Sequence, residues 1–457
     1  MNSISKALGQ YTGLYDAHRH DIDSHAPALL NALRPAARKA LERAGRLPRK
    51  GDEGYARTDV EELFAPDYGI NIMRVPAPVD VAASLRCGVP NISTLTGVVV
   101  GDEFRPTATL LRNLPAGVTL MSLAEAARKA PELVEGRLGA LSREGDAAAQ
   151  LNTLLMQDGV LLHVAAGTVC EKPLQIISIF NAGVPSMAAR RLLVVLEAGA
   201  RASLLVCDHS QRADVDYLSS EVTEIFLAEG AQLDYCHIEA STARTSRVGS
   251  LFASLASGSR LNANGTTLSG GHTRNSYRVD LNGADASVDM AGMVIASGAQ
   301  HCDNDTLVLH HAPHCRSTQL FKYILDDDAS GAFRGLVRVD HGAAFTDAYQ
   351  TNRNLLASDR ATMHTEPQLE IYCDEVKCGH GATTGQLDAN ALFYMRSRGI
   401  PEDEARMMLM QAFMADVIDT ITIPSLHDRL RMLVEHRLCG HHSTCADCSA
   451  ACTPPQQ

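Results

Sequence analysis

One small turn recurs through the second half of this chain and limits what it can fold into. From about Leu161, short runs of Val, Ile, Leu, Thr and Phe are separated by a glycine followed by a small residue. The turn reads Glu197-Ala198-Gly199-Ala200, Ala228-Glu229-Gly230-Ala231 and Ala256-Ser257-Gly258-Ser259. It returns as Ala296-Ser297-Gly298-Ala299 and Asp340-His341-Gly342-Ala343, with Asn282-Gly283-Ala284 as a shorter form. Glycine admits the left-handed backbone that a sharp corner needs. A sandwich of hairpins would call for two-residue Asn-Gly turns at many junctions. Glycine followed by a small residue predicts instead a chain winding in one direction, a β-helix or related solenoid. The glycines are unevenly spaced, so the coil is not a strict repeat. A solenoid also has two ends whose backbone groups must be capped or paired with another chain.

The flanks read as helical. Ala28 to Ala44 has apolar residues at helical spacing, Leu47-Pro48-Arg49-Lys50-Gly51 breaks it, and Val60 to Phe64 is a second short piece. Ala124 to Gln157 is rich in strong helix formers. After Gly385 a helix is expected over Asp388 to Arg398, closed at Gly399. Pro401 opens the next, with Glu402, Asp403 and Glu404 in its first turn and Leu409, Phe413 and Val417 on one face. Ser425 and Asp428 resemble a capping box for a last helix through His436. The organisation predicted is a helical and mixed region over residues 1–160, a β core over 161–385, a helical region over 386–438 and a Cys/His-rich tail over 439–457.

With 53 acidic against 41 basic residues and a net charge of −12, a phosphate-tracking surface is not expected, and nucleic acid is excluded as a main partner. No apolar run approaches a bilayer-spanning length, and the first residues contain no secretory apolar segment, so a cytoplasmic protein without a membrane partner is expected. The sequence contains no GxxxxGK[ST] phosphate loop, no HExxH and no GxSxG. Gly379-His380-Gly381-Ala382-Thr383-Thr384-Gly385 mimics a dinucleotide loop, but its last glycine comes one residue late and no βαβ pattern precedes it.

Cys378 and His380 are the principal candidate site. Two apart on an extended strand, they share a face, where thiolate and imidazole can hold a soft metal such as iron. The alternative is a buried Cys beside a hydrogen-bonded His. Cys373, five residues earlier, should face the other way on a regular strand. Two ligands do not close a site, so a partner chain or small ligand must complete it. His310, His311, His314 and Cys315 read as a polar turn interrupted by Pro313. Cys207, Cys236 and Cys302 read as small buried hydrophobes. Cys439, Cys445, Cys448 and Cys452, with His441 and His442, suggest either Zn²⁺ or iron–sulfur binding or an oxidisable tail. Met407, Met408, Met410 and Met414 on the second C-terminal helix suggest core filler or an adaptable docking surface.

Several segments resemble one family. They are DASGAFRGLVRVDHGAAFTDAYQTNRNLLASD from Asp328, QLEIYCDEVKCGHGATTGQLD from Gln368 and ALFYMRSRGIPEDEA from Ala391. LPRKGDEGYARTDVEELFAPDYGINI from Leu47 resembles its N-terminal motif, with Tyr55-Ala56-Arg57-Thr58 at the centre. Together they are similar to the SufB/SufD family of SUF iron–sulfur cluster assembly scaffolds. Gly381 stands where SufB-type chains carry an acidic residue, which favours the SufD branch. The resemblance implies a right-handed parallel β-helix core flanked by N-terminal and C-terminal helical regions. It implies a non-catalytic subunit pairing with SufB through the β-helix ends, or with itself when isolated. It implies docking of the ABC-type ATPase SufC on the C-terminal helices, for which Met407, Met408, Met410, Phe413 and Met414 are the residues expected here. A transient iron–sulfur cluster shared with SufB is expected at the interface, with the family's functional His falling on His380 and Cys378 as a possible helper. No permanent cofactor is expected, and flavin is left undetermined. The competing functions are a carbohydrate-active β-helix enzyme, disfavoured by the absence of Trp and an aromatic content of 5%, and a metal-delivery protein using the tail.

Overall fold

The computed structural model describes residues 4–80 and 93–438. Its centre is a mainly β, parallel solenoid. From Val160–Val164 to Lys377–Gly385, successive strands alternate between two sheets, and each strand pairs in parallel with the strand two places on. The result is about eight coils. Coil length varies, because Arg247 pairs with Thr273 whereas Ser330 pairs with Thr362. That variation accounts for part of the uneven glycine spacing, and the rest arises because Gly298 lies at a different corner from Gly199, Gly230 and Gly258.

At one corner of the coil Gly167, Gly199, Gly230 and Gly258 are left-handed, with φ of 68°, 68°, 65° and 65°. Each turn bonds to the next: the Gly199 amide donates to the Glu229 carbonyl at 2.8 Å and Gly230 to Ser257 at 2.9 Å. The expected glycine corner is therefore real at 199, 230 and 258. It is not one column throughout. Gly298 (φ 62°) lies at the opposite corner, and Gly283 and Gly342 are not left-handed. In those later coils the left-handed corner residue is Asp285, His314 or Phe345, each at φ 60°.

The N-terminal region packs over the outer face of one sheet. Leu8, Leu41, Leu151 and Leu154 bury against Leu193, Val195 and Leu218. It begins with helix Lys6–His25, capped by Ser5. The stretch expected as one helix from Ala28 divides into Ala28–Asn31 and Arg34–Ala44, with Pro35 in the first turn of the second piece. The stretch from Ala124 resolves into Leu123–Lys129 and Ala147–Leu155, because Pro131 and the left-handed Gly136 and Gly139 intervene. This region also contributes strands. Leu95–Val100 joins Leu174–Phe180 in parallel, while the short strands Glu103–Pro106 and Val118–Ser122 turn that end over as antiparallel edges. Short edge strands discourage further pairing.

Among the described residues the other end is bare. Thr362–Ile371 and Lys377–Gly385 are the last strands of the two sheets, and most of their residues are exposed. Helix Ala389–Ser397, capped by Asp388 and followed by left-handed Gly399, buries none of its residues. Helices Glu402–Ile418 and Pro424–Leu438 lie on the outer face of the second sheet, where Met414, Val417, Ile418 and Leu430 pack with Leu205, Ile238, Met293 and Ile324. Lys322 fastens them. Its buried Nζ donates to the Phe413 carbonyl at 2.7 Å and pairs with Asp416 at 2.6 Å.

Candidate functional site

The last strand is in register with Asp347–Leu356, placing Cys378 beside Ala348 and His380 beside Gln350. Ala348, Gln350 and Asn352 are buried, so both candidates continue columns of the solenoid's interior and share a face, as their spacing predicts. With no further coil among the described residues, that interior becomes surface. Cys378 is half-buried against Val337, Val339, Ala343 and Ala348, whereas His380 is exposed. Burial raises the Cys378 thiol pKa, which disfavours the thiolate a metal requires. Cys373 does not face away. It packs into the same cluster as Cys378, because strand Thr362–Ile371 ends before it and the intervening turn breaks the alternation.

Beneath His380 runs an amide column. Thr306 Oγ1 donates to Gln319 Oε1 at 2.7 Å, and Gln350 Nε2 donates to the same oxygen at 3.3 Å. Gln350 Oε1 is buried without a hydrogen-bond partner.

A charged cluster deeper in the interior has no signature in the sequence. Asp208, Glu221 and His237 bring ligand atoms within 4.8 Å of one another. Arg190 Nη1 lies 3.2 Å from both carboxylates, Arg247 Nη2 lies 2.8 Å from Glu221, and His237 Nε2 lies 2.7 Å from Asp208. Burial acts to raise the Asp208 pKa, but His237 and the two guanidiniums outweigh it and hold the carboxyl far below its usual range. Two cations already neutralise the two carboxylates, so the knot is self-contained and is no good match for a metal. Its members sit on strands of both sheets, and only the coil brings them together.

The N-terminal motif is a clasp. The Arg274 guanidinium lies 4.7 Å from the Tyr55 ring centroid, donates to the Gly54 carbonyl at 2.8 Å and pairs with Asp303 at 2.6 Å. Thr58 Oγ1 donates to Asp303 at 2.6 Å and lies 3.0 Å from His301 Nε2. The His/Cys cluster does not converge. His310 bonds Ser317, His311 bridges Asp280 and Asp340, His314 stacks on Phe345, and Cys315 is buried against the Gly283 carbonyl. Cys207, Cys236 and Cys302 are buried, and burial lifts the Cys236 thiol to about 12.

On the methionine helix, Met414 is fully buried and belongs to the core. Met410 and Phe413 are partly buried against that core, Met407 is intermediate and Met408 is exposed. Phe393, Tyr394 and Met432, which no motif or spacing in the sequence singles out, are exposed on the same helical arm. Cys439, Cys445, Cys448 and Cys452 lie outside the described residues. Among the described residues no helix is long and apolar enough to cross a membrane.

These features define a class: a two-sheet parallel solenoid, finished at one end and bare at the other, with an imidazole at the bare end and a helical arm along one face. Comparison with known proteins carries this further. Residues 179–413 match the SUF system FeS cluster assembly SufBD core domain, and residues 5–176 match the SufBD protein N-terminal region. An iron–sulfur cluster assembly SufBD family protein of Synechocystis is 30% identical over 86% of this chain and 88% of its own length. The iron–sulfur cluster assembly protein SufD of Escherichia coli is 36% identical over 38% of this chain and 41% of its own length. SufD of Bacillus subtilis is 24% identical over 70% of this chain and 74% of its own length. The chain belongs to the SufB/SufD family of iron–sulfur cluster assembly proteins, and its kinship is with SufD.

Proposed function

We propose that this chain is a non-catalytic scaffold subunit of the SUF assembly complex. It pairs through its last coil with SufB, carries the ATPase SufC on its C-terminal arm, and contributes His380 to a cluster built at the SufB–SufD boundary. The observation that supports this most is the bare end: unpaired strand edges beside an exposed imidazole ask for a second chain. The cluster is cargo here, transient and shared, and no resident cofactor is proposed. Cys378 is secondary, since burial favours its protonated form. The exposed Phe393, Tyr394, Met408 and Met432 make the arm an adaptable apolar surface for SufC. We place the complex in the cytoplasm, where thiols stay reduced.

The test is anaerobic cluster assembly on the complex co-expressed with SufB and SufC. His380→Ala should leave subunit stoichiometry unchanged and lower the iron and sulfide retained. Undiminished cluster yield would overturn the assignment of His380, and loss of the complex itself would make His380 an assembly residue.

A further inference from the structure

The corner that winds the solenoid holds a left-handed residue in every coil but the last, and the early coils use glycine. Later coils use Asp285, His314 and Phe345 instead, each at φ 60°, with Phe345 in the coil next to the last, and the last corner, between Ile371 and Lys377, has no left-handed residue. A side chain with a Cβ is disfavoured in that conformation, and a bulky aromatic more so. Strain of this kind persists where the surroundings or a function enforce it. The rings of His314 and Phe345 stack, with centroids 4.8 Å apart and planes 15° apart. The stack does not hide them, since Phe345 remains 56% exposed.

Phe345 is not alone. Tyr349, Ile371 and Tyr372 are also large, apolar and exposed, and all belong to the last coils. The Tyr372 ring lies 5.6 Å from that of His341 and 5.5 Å from the Arg338 guanidinium. The Phe345 amide donates to the Glu375 carbonyl at 2.6 Å, tying this corner to the turn that leads into Lys377–Gly385. Leu111, Val169 and Val184, by contrast, are exposed on separate segments remote in sequence. Single exposed apolar residues are ordinary, whereas a group at one corner marks a contact surface.

We infer that this aromatic corner is the affinity-determining part of the bare-end interface and that its occupant is a second chain of the same solenoid fold. The inference rests on the reading that the bare end takes a partner. Continuity identifies the occupant: a chain that pairs with the edge of Lys377–Gly385 must pass the corner built from Phe345, Ile371 and Tyr372. Backbone pairing supplies register, and desolvated aromatic anchors supply most of the binding energy.

Sedimentation equilibrium of the full chain, alone and mixed with the SufB subunit, tests it. Phe345→Gly should keep or raise the unfolding midpoint, because glycine suits the corner, while weakening association at least about tenfold. Tyr372→Ser should weaken association in the same direction without touching the corner backbone, and decides the matter if the first variant fails to fold. Val184→Ser, remote in the fold, should associate as the unaltered chain does. If both corner variants associate within about twofold of the unaltered chain, the corner's role is overturned while the bare-end reading stands. If the unaltered chain stays monomeric in both samples, the bare-end reading is overturned and the corner's role with it.

Discussion

His380 stands in register with Gln350, one strand beyond a buried amide whose Oε1 has no hydrogen-bond partner. The interior columns of the solenoid thus end on an imidazole at the surface. Because His380 is exposed, His380→Ala should change folding stability by no more than about 0.5 kcal/mol. Urea denaturation of the isolated chain checks this, and a larger loss would mean that His380 helps hold the last coil.

Thr58 is the pin of the N-terminal clasp. Thr58→Val keeps its shape but removes the hydrogen bond to the buried Asp303 carboxylate. The expected cost is about 1.5–3 kcal/mol, the range for a hydrogen bond to a charged group. Thr58→Ser should recover most of it. Hydrogen exchange should locate the loosening at residues 54–58 and at His301 to Asp303.

How much of this could be read from the sequence depends on whether a residue's role is set locally. Gly199, Gly230 and Gly258 disclose the corner because glycine is the cheapest left-handed residue. Asp285, His314 and Phe345 occupy the same corner, and nothing in their identity announces it. Cys378 and His380 could be placed on one face because strand alternation holds within Lys377–Gly385. Cys373 could not, because the alternation stops at the turn before that strand. The Arg190–Asp208–Glu221–His237–Arg247 knot depends on coil register, which sequence spacing does not supply. Met414 and Met408 are alike in sequence, and only the packed helix shows that one is core and the other surface.

Acid should weaken the fold through its buried histidines. Burial lowers the pKa of both His301 and His310 from 6.5 to about 4. For His301, Asp303 opposes that shift, while His272, Arg274 and Lys50 reinforce it. A base with a lowered folded-state pKa binds fewer protons folded than unfolded, so the stability it contributes is complete above pH 6.5 and drains away as pH falls toward 4. Each histidine should account for up to about 3 kcal/mol of that loss. Denaturation midpoints at pH 7, 5.5 and 4.5 should fall steadily for the unaltered chain and less steeply for His301→Gln. Identical pH slopes would remove His301 as a cause.

The turn glycines provide a test of backbone strain free of packing. An added Cβ at Gly230 would meet nothing within 4 Å, so Gly230→Ala can act only through its left-handed φ of 65°. The expected loss is roughly 1–2 kcal/mol. Gly230→Asn should cost less, since Asn tolerates that conformation. Equal losses for Ala and Asn would point to a cause other than backbone conformation.

Lys322 and Asp416 should respond unequally to removal, and the asymmetry follows from their burial. Lys322 is 2% exposed in its side chain, while Asp416 is 52% exposed. Lys322→Met fills similar space with apolar atoms and lets Asp416 return to water, so it should be close to neutral. Asp416→Ala leaves the ammonium beneath the helix with the Phe413 carbonyl and the Phe413 ring as its remaining close partners. An uncompensated buried charge costs about 3 kcal/mol or more, reduced here by whatever water reaches the open side of the pair. The loss should be local, because Lys322 holds helix Glu402–Ile418 to the sheet. Hydrogen exchange should quicken over residues 402–438 in Asp416→Ala and stay nearly unchanged in Lys322→Met. On the proposed docking of SufC to this arm, SufC retention in the co-expressed complex should follow the same order, since a loosened arm presents its exposed apolar residues less well. The reverse order, with Lys322→Met the more damaging, would show that the ammonium itself, and not its unpaired burial, governs the docking of the arm.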